Sequence, residues 1–325
     1  YTTSQLVKLT LKGQAEPIST PAVFRRVSAS PDGRNLLVQM VQRPYSYSLK
    51  EDSFPKNIEV WNLAGERVYT VANLPLQDQI PISFGSVASG RRSFDWRDDA
   101  AAELVWVEAL DGGDGGVEAA ERDRVFTLAA PFTGEPEVLA TLAQRFGGVT
   151  WGNDELAFVN SWWWKTRNVK VWRMQPSHRD EAPVLIQDRS WQDRYGDPGE
   201  PVLHPNKYGR NVILTADNGQ TIFLDGAGAG PEGDRPFLDA LNLSTMETTR
   251  LFHSEAPYYE SPVELIDVDK RLVLTRRESQ TEPPNYFLRD LKKDGLEQKT
   301  FFPDPNPQLQ GISKELITYE RNDGI

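Results

Sequence analysis

Asn57-Ile58-Glu59-Val60-Trp61-Asn62-Leu63-Ala64-Gly65-Glu66-Arg67-Val68-Tyr69-Thr70-Val71 reads as an alternating strand, a turn closing on glycine, and an edge strand. Ahead of it, Val27-Ser28-Ala29-Ser30-Pro31-Asp32-Gly33-Arg34-Asn35-Leu36-Leu37-Val38 reads as a buried strand, a Pro-Asp-Gly turn and a second apolar strand. The first pattern returns at Val125–Leu128, Val169–Trp172, Leu238–Leu243 and Tyr286–Leu291. The second returns at Ser93–Asp99 with Glu103–Val107, and at Gly148–Val159. Weaker copies are Leu203-His204-Pro205 with Asn211–Thr215, and Val263–Asp267 with Arg271–Thr275. Helical periodicity is scarce. Four strands per unit, repeating about every 55–65 residues, predict an all-β chain built of β-propeller blades. A β-sandwich with irregular strands is the competing fold, and the tryptophan-bearing repeats favour the propeller.

The pattern extends to both ends. Ser4–Gly13 resembles the second half of a preceding blade, and about five four-stranded blades follow. Pro303-Asp304-Pro305-Asn306-Pro307 breaks any strand. The expected organisation is a propeller over 1–302, incomplete at its start, a proline-rich linker over 303–310, and the start of another domain over 311–325. There, Leu316 to Glu320 alternates as a strand and runs into Asn322-Asp323-Gly324, a hairpin signal with no second strand. The chain therefore reads as a piece cut from a longer protein.

Composition narrows the function classes. The net charge of −11 argues against nucleic acid, which demands a concentrated basic surface. No apolar run reaches the roughly 18 residues of a membrane span, so a soluble chain with no membrane partner is expected. Zero cysteines exclude a thiol nucleophile, disulfides and thiolate metal ligands. The compartment stays open between a cytoplasmic or plastid-like one and a periplasmic one.

Local motifs add little chemistry. Gly228-Ala229-Gly230-Pro231-Glu232-Gly233 has phosphate-loop spacing, but it leads to a strand rather than a helix. Asp111-Gly112-Gly113-Asp114-Gly115-Gly116 resembles a calcium loop without its ligand spacing or distal glutamate, so a hairpin loop is expected. No Gly-x-Ser-x-Gly elbow occurs, and His178, His204 and His253 have no metal spacing. With 47 acidic residues, no glycosidase pair can be singled out. No cofactor, metal ligand or catalytic residue is assigned.

Two clusters stand out as candidate substrate-binding residues. Ser161-Trp162-Trp163-Trp164-Lys165-Thr166-Arg167-Asn168 places three aromatics beside two cations, between the second and third strands of a blade. Such a set suits an anionic group held against an apolar wall. Inter-blade packing with solvated charges explains it equally simply. Arg91 and Arg92 precede the inner strand of another blade, where they either face a channel or stay solvated.

Several segments together resemble the propeller region of glutamyl endopeptidases, in the prolyl oligopeptidase family of serine peptidases. They include Arg43-Pro44-Tyr45-Ser46, Phe54–Trp61, Asp78–Ile82, Gly90–Ser93 with Trp96-Arg97, and Asp111–Asp114. Ser161–Arg167, Tyr195–Gly199, Pro231–Gly233 with Pro236–Asp239, Glu278–Glu282 and Tyr319–Gly324 continue it in one register. The resemblance implies a parent propeller of seven blades and an α/β-hydrolase domain opening near Glu315. It implies cleavage after glutamate, with the propeller gating access of peptide substrates. The catalytic triad of that family lies in the hydrolase domain, so the chain alone is expected to be inactive. Arg91, Arg92, Trp162, Trp163, Trp164, Lys165 and Arg167 are the expected substrate-binding residues, with Lys165 and Arg167, or Arg91 and Arg92, supplying the positive charge that faces the substrate carboxylate. A stand-alone propeller used as a protein-interaction scaffold is the alternative, and a propeller glycosidase a third reading.

Overall fold

The computed structural model describes residues 3–309, 311, 312, 315, 317, 319, 320 and 323. The expected terminal strand and hairpin signal rest on Leu316, Thr318, Asn322 and Gly324, which lie outside the described residues. The chain divides into two compact units, one running to Asp193 and including Leu203–Leu214, the other formed by Arg194–Val202 and Thr215 onward. Both are built of antiparallel sheets, and the fold class is the expected one, all-β and propeller-type. Among the described residues, no helix is long and apolar enough to cross a membrane.

The first unit opens on a small ladder of β1 (Val7–Leu9) and β2 (Ala15–Pro17). Three four-stranded meanders follow. The first is β3 (Phe24–Ala29), β4 (Asn35–Val41), β5 (Lys56–Asn62) and β6 (Arg67–Leu74). The second is β7 (Arg92–Trp96), β8 (Glu103–Ala109), β9 (Asp123–Ala129) and β10 (Glu137–Leu142). The third is β11 (Arg145–Asn153), β12 (Leu156–Trp163), β13 (Asn168–Met174) and β14 (Val184–Ser190).

These sheets cohere through their apolar faces. Leu37, Ile58, Val60 and Val71 of the first sheet pack with Phe94, Trp96, Leu104 and Trp106 of the second. On the other side, Val105, Val107 and Val125 pack with Trp151, Ala157 and Val159 of the third. Period-two alternation gives each middle strand two apolar sides, so one sheet fills two cores. A side-chain bond from Trp96 Nε1 to the Ser28 carbonyl (3.1 Å) ties the first two sheets.

The β5–β6 turn shows why the turn within residues 57–71 closes on glycine. Gly65 has φ +82°, and a Cβ there would stand 1.6 Å from the Ile18 carbonyl oxygen. Backbone must move to admit any side chain. Gly65→Ala should therefore destabilise the chain by at least about 1–2 kcal/mol, read as a lowered urea midpoint at unchanged slope.

In the second unit, the expected fourth repeat needs a correction. Its sheet consists of β15 (Glu200–Pro201) and β18 (Thr215–Ala216), both pairing β19 (Thr221–Gly226), then β22 (Phe237–Asn242) and β23 (Thr248–His253). The edge position is thus shared by two fragments. Between them the chain leaves as a separate hairpin, β16 (Leu203–Pro205) with β17 (Asn211–Ile213), which belongs to the first unit and packs on β11. There Asn206 Nδ2 donates to the Asp98 carbonyl (2.8 Å), and Val212 and Ile213 are buried. The Leu203 and Asn211 segments do pair, but they are not the inner half of this sheet. The loop with phosphate-like spacing folds as a two-residue ladder of β20 (Ala229–Gly230) and β21 (Gly233–Asp234), leading to a strand. A last meander, β24 (Tyr259–Asp267), β25 (Leu272–Glu278), β26 (Asn285–Asp290) and β27 (Gly295–Gln298), completes the unit.

Candidate functional site

In an up-and-down sheet, the first strand begins at the same end as the connection between strands two and three. The fourth strand ends there too. Arg25 and Arg26 at the start of β3, Lys56 at the start of β5, Leu74 at the end of β6 and Arg92 at the start of β7 therefore sit at matching sheet ends. They line a cavity of about 500 Å³ in the first unit, together with Arg91 and Asp52. Five cations and one carboxylate make this wall positive, although the chain as a whole is acidic.

Most of these cations already hold a carboxylate. Arg25 pairs with Asp52 and with Glu51 (3.2 Å), and Arg26 with Asp95 (3.0 Å). Arg91 Nε donates to Glu108 (3.0 Å), its Nη1 donates to the Val71 carbonyl (2.8 Å), and its guanidinium lies 4.8 Å from the Trp106 ring centre. Two cations differ. Arg92 Nη2 donates to Asp123, while its Nη1 is buried with no hydrogen-bond partner among the described residues. Lys56 is only 4% exposed, and its Nζ donates to two neutral carbonyls, of Asp52 (2.5 Å) and Phe54 (3.1 Å). An ammonium carries three N–H bonds, so one is left. Burial pushes the Lys56 ammonium below the usual lysine range, the Arg25 charge adds to this, and Glu51 and Asp52 oppose it. Burial likewise lowers Arg92, against the pull of Asp123. Unfilled donors on buried charges are costly.

Behind the cavity lies a buried ion network. Arg145 donates through Nη2 to Asp111 (2.8 Å), through Nη1 to Asp123 (2.9 Å), and through Nε to the Gly85 carbonyl (2.6 Å). Arg122 shares Asp111 (2.7 Å), and Arg92 shares Asp123. Both carboxylates are fully buried. The loop that resembled a calcium site instead turns Asp111 inward, with Gly113 N donating to it (3.0 Å). No cluster of three or more potential metal ligands occurs among the described residues. Burial alone would raise the Asp111 carboxyl, but Arg145 and then Arg122 outweigh it and hold the group below the usual carboxylate range. A depressed folded value gives stability that is present above about pH 4 and lost as pH falls through that value. Urea midpoints should drop on acidification below about pH 4, and Asp111→Asn should flatten that acid limb.

No protein-family model matches the chain. A protein of Oryza sativa subsp. japonica named "Probable glutamyl endopeptidase, chloroplastic" is 40% identical over 339 residues, covering 100% of this chain and 36% of that protein. Its namesake in Arabidopsis thaliana is 39% identical over 340 residues, covering 100% and 35%. The chain is a relative of the glutamyl endopeptidases. It spans about a third of the length of these curated relatives, at an identity that confirms the family resemblance read from its segments. Among solved structures, an acylaminoacyl peptidase of Pyrococcus horikoshii aligns at 13% identity and TM-score 0.45, covering 95% of this chain and 43% of that one. The β-propeller domain of the Trilobed protease of Pyrococcus furiosus aligns at 9% and 0.42, covering 85% and 71%.

In this relative of the glutamyl endopeptidases, Arg91 and Arg92 line the cavity. The other five expected residues form a separate aromatic shelf and do not line it. Trp162 and Trp163 end β12, and Trp164 begins the turn to β13. Phe84 stacks on Trp164 (4.9 Å between ring centres), and the Arg167 guanidinium lies 4.1 Å from the same ring. Arg167 Nη1 also donates to the Trp164 carbonyl (2.5 Å). Trp162 Nε1 donates to the Phe146 carbonyl (3.2 Å), and Trp163 lies under Arg122 (3.9 Å). Lys165 is exposed. The shelf meets the cavity through the chain from Ile80 to Ala88, whose ends line the cavity while Gly85 lies against Trp163. Sequence reasoning missed Lys56, Arg25 and Arg26. A lysine heading an apolar alternating strand was the available signal for Lys56.

Proposed function

We propose that this chain is the propeller domain of a serine peptidase that cleaves after glutamate, and that the cavity takes the substrate's side-chain carboxylate. The observation that carries this reading is the pair Arg92 and Lys56. Lys56 is buried and Arg92 half-buried, both line the cavity, Arg92 Nη1 has no hydrogen-bond partner among the described residues, and Lys56 Nζ gives two of its three N–H bonds to neutral carbonyls. A carboxylate supplies two acceptor oxygens of the right charge. The names of the rice and Arabidopsis relatives supply the glutamyl specificity and the peptidase class. In this reading the nucleophile belongs to an α/β-hydrolase domain joined through residues 303–310 and beginning within 311–325. The propeller admits peptides and holds the acidic side chain. The aromatic shelf at Trp162, Trp163, Trp164, Lys165 and Arg167 then supports the wall of the site.

The test uses the peptidase that carries this chain with its hydrolase domain. Charge reversal by Arg92→Glu should raise KM for glutamyl peptides and leave glutaminyl peptides nearly unchanged. Equal effects on both would remove Arg92 from charge recognition.

A further inference from the structure

We infer that residues 75–91 form a strap whose position sets the cavity wall, and that the glycine-rich loop 111–116 is the seat that fixes it. This rests on the carboxylate-binding reading above and adds positioning residues that do not touch the substrate. The strap joins the end of β6 to the start of β7 and has no helix or strand of its own. It supplies Gln77, Ile80, Ala88 and Arg91 to the cavity lining, and Arg92 follows directly. Its middle is therefore held by whatever it rests on.

That support is the glycine loop. Val87 N–H donates to the Gly113 carbonyl (2.9 Å), and Gly115 N–H donates to Ser86 Oγ (3.1 Å). Arg145 Nε donates to the Gly85 carbonyl (2.6 Å) while its Nη2 holds Asp111 (2.8 Å), so one buried guanidinium ties strap to seat. Its Nη1 holds Asp123, the partner of Arg92, so the strap's middle and the arginine after its end share one fixed point. The fit leaves no room for side chains. A Cβ on Gly113 would stand 2.1 Å from the Val87 carbonyl oxygen, and one on Gly115 would stand 2.3 Å from that of Phe84. Real Cβ atoms keep about 3 Å from such atoms, so a methyl group at Gly113 drives strap and seat apart by about 1 Å. Gly112 supplies the control. Its φ of +68° is close to the +79° of Gly113, yet a Cβ there meets nothing within 4 Å. Alanine at either position strains the backbone, and only at Gly113 does it also meet the strap.

The experiment compares Gly113→Ala with Gly112→Ala in the peptidase that carries this chain with its hydrolase domain. Amide exchange reads the strap without substrate. The Val87 amide should be protected in the unaltered protein, exchange at least about tenfold faster in Gly113→Ala, and stay protected in Gly112→Ala. Kinetics read the cavity. KM for glutamyl peptides should rise about tenfold in Gly113→Ala with kcat nearly unchanged, since a misplacement of roughly 1 Å can cost about 100-fold. A merely unstable protein would instead lose kcat for glutamyl and glutaminyl peptides alike and keep both KM values. Ser86→Ala removes one hydrogen bond without adding an atom, should act more weakly in the same direction, and serves if Gly113→Ala fails to fold. A Val87 amide unprotected in the unaltered protein would overturn the strap, and faster exchange with unchanged KM would overturn its hold on the cavity. Equal effects of the two glycine variants would assign the change to backbone strain and overturn the seat. Arg92→Glu in the same enzyme separates the two readings. A glutamyl KM that responds to Arg92→Glu and not to Gly113→Ala keeps carboxylate recognition and removes the strap.

Discussion

Arg145→Met is expected to lower the unfolding free energy by about 3–5 kcal/mol, the cost of breaking a buried ion pair by removing one partner. The Arg145 side chain is 1% exposed, and its two carboxylate partners, Asp111 and Asp123, are fully buried. Removing the guanidinium also strips the Gly85 and Arg122 carbonyls of a donor. Arg122 and Arg92 remain to hold one carboxylate each, so the fold should survive with reduced stability. Lysine should not rescue the position, because one ammonium cannot reproduce a planar fork that reaches two carboxylates and two carbonyls. Urea midpoints at unchanged slope would measure the loss, and a change below about 1 kcal/mol would contradict the network's structural role.

Arg92→Gln carries the second large effect, on specificity rather than stability. Asp123 keeps Arg145 Nη1 (2.9 Å) and the Phe146 backbone N–H (2.7 Å) when Arg92 is shortened, so it is not stranded. What is lost is a charged donor whose Nη1 has no other partner. A hydrogen bond to a charged group contributes about 1.5–3 kcal/mol, so kcat/KM for glutamyl peptides should fall roughly 10- to 150-fold. Glutaminyl peptides have no charge to lose and should change little. Lys56→Met should act in the same direction.

The strand alternation of residues 57–71 made the meander visible, because period two and a glycine turn are local properties. The identity of the sheet that a hairpin joins is not local. Leu203–Pro205 and Asn211–Ile213 pair as their pattern suggested, yet Val212 and Ile213 are buried against β11 and not in their neighbours' sheet. The strand that takes the expected place, Thr221–Gly226, follows the polar loop Asp217–Gly219 and is short enough to be overlooked.

The site was legible to a similar depth. Two adjacent arginines before an inner strand signalled Arg91 and Arg92. Lys56 gave a weaker signal, since a strand-initial lysine usually points to water, and its burial depends on the connection between β4 and β5 folding back to offer two carbonyls. Asp111 lies in the hairpin loop its glycine-rich neighbourhood suggested, but its ion pair was not legible, because its partner Arg145 lies 34 residues away. The tryptophan cluster announced aromatic packing correctly, but only the structure separates that shelf from the cavity.

The most direct measurement is the ratio of kcat/KM for matched glutamyl and glutaminyl peptides, in the peptidase carrying this chain, before and after Arg92→Gln. Recognition of the carboxylate in this cavity predicts that the ratio falls by about 30-fold, with the loss confined to the glutamyl peptide. A ratio that stays the same would contradict it.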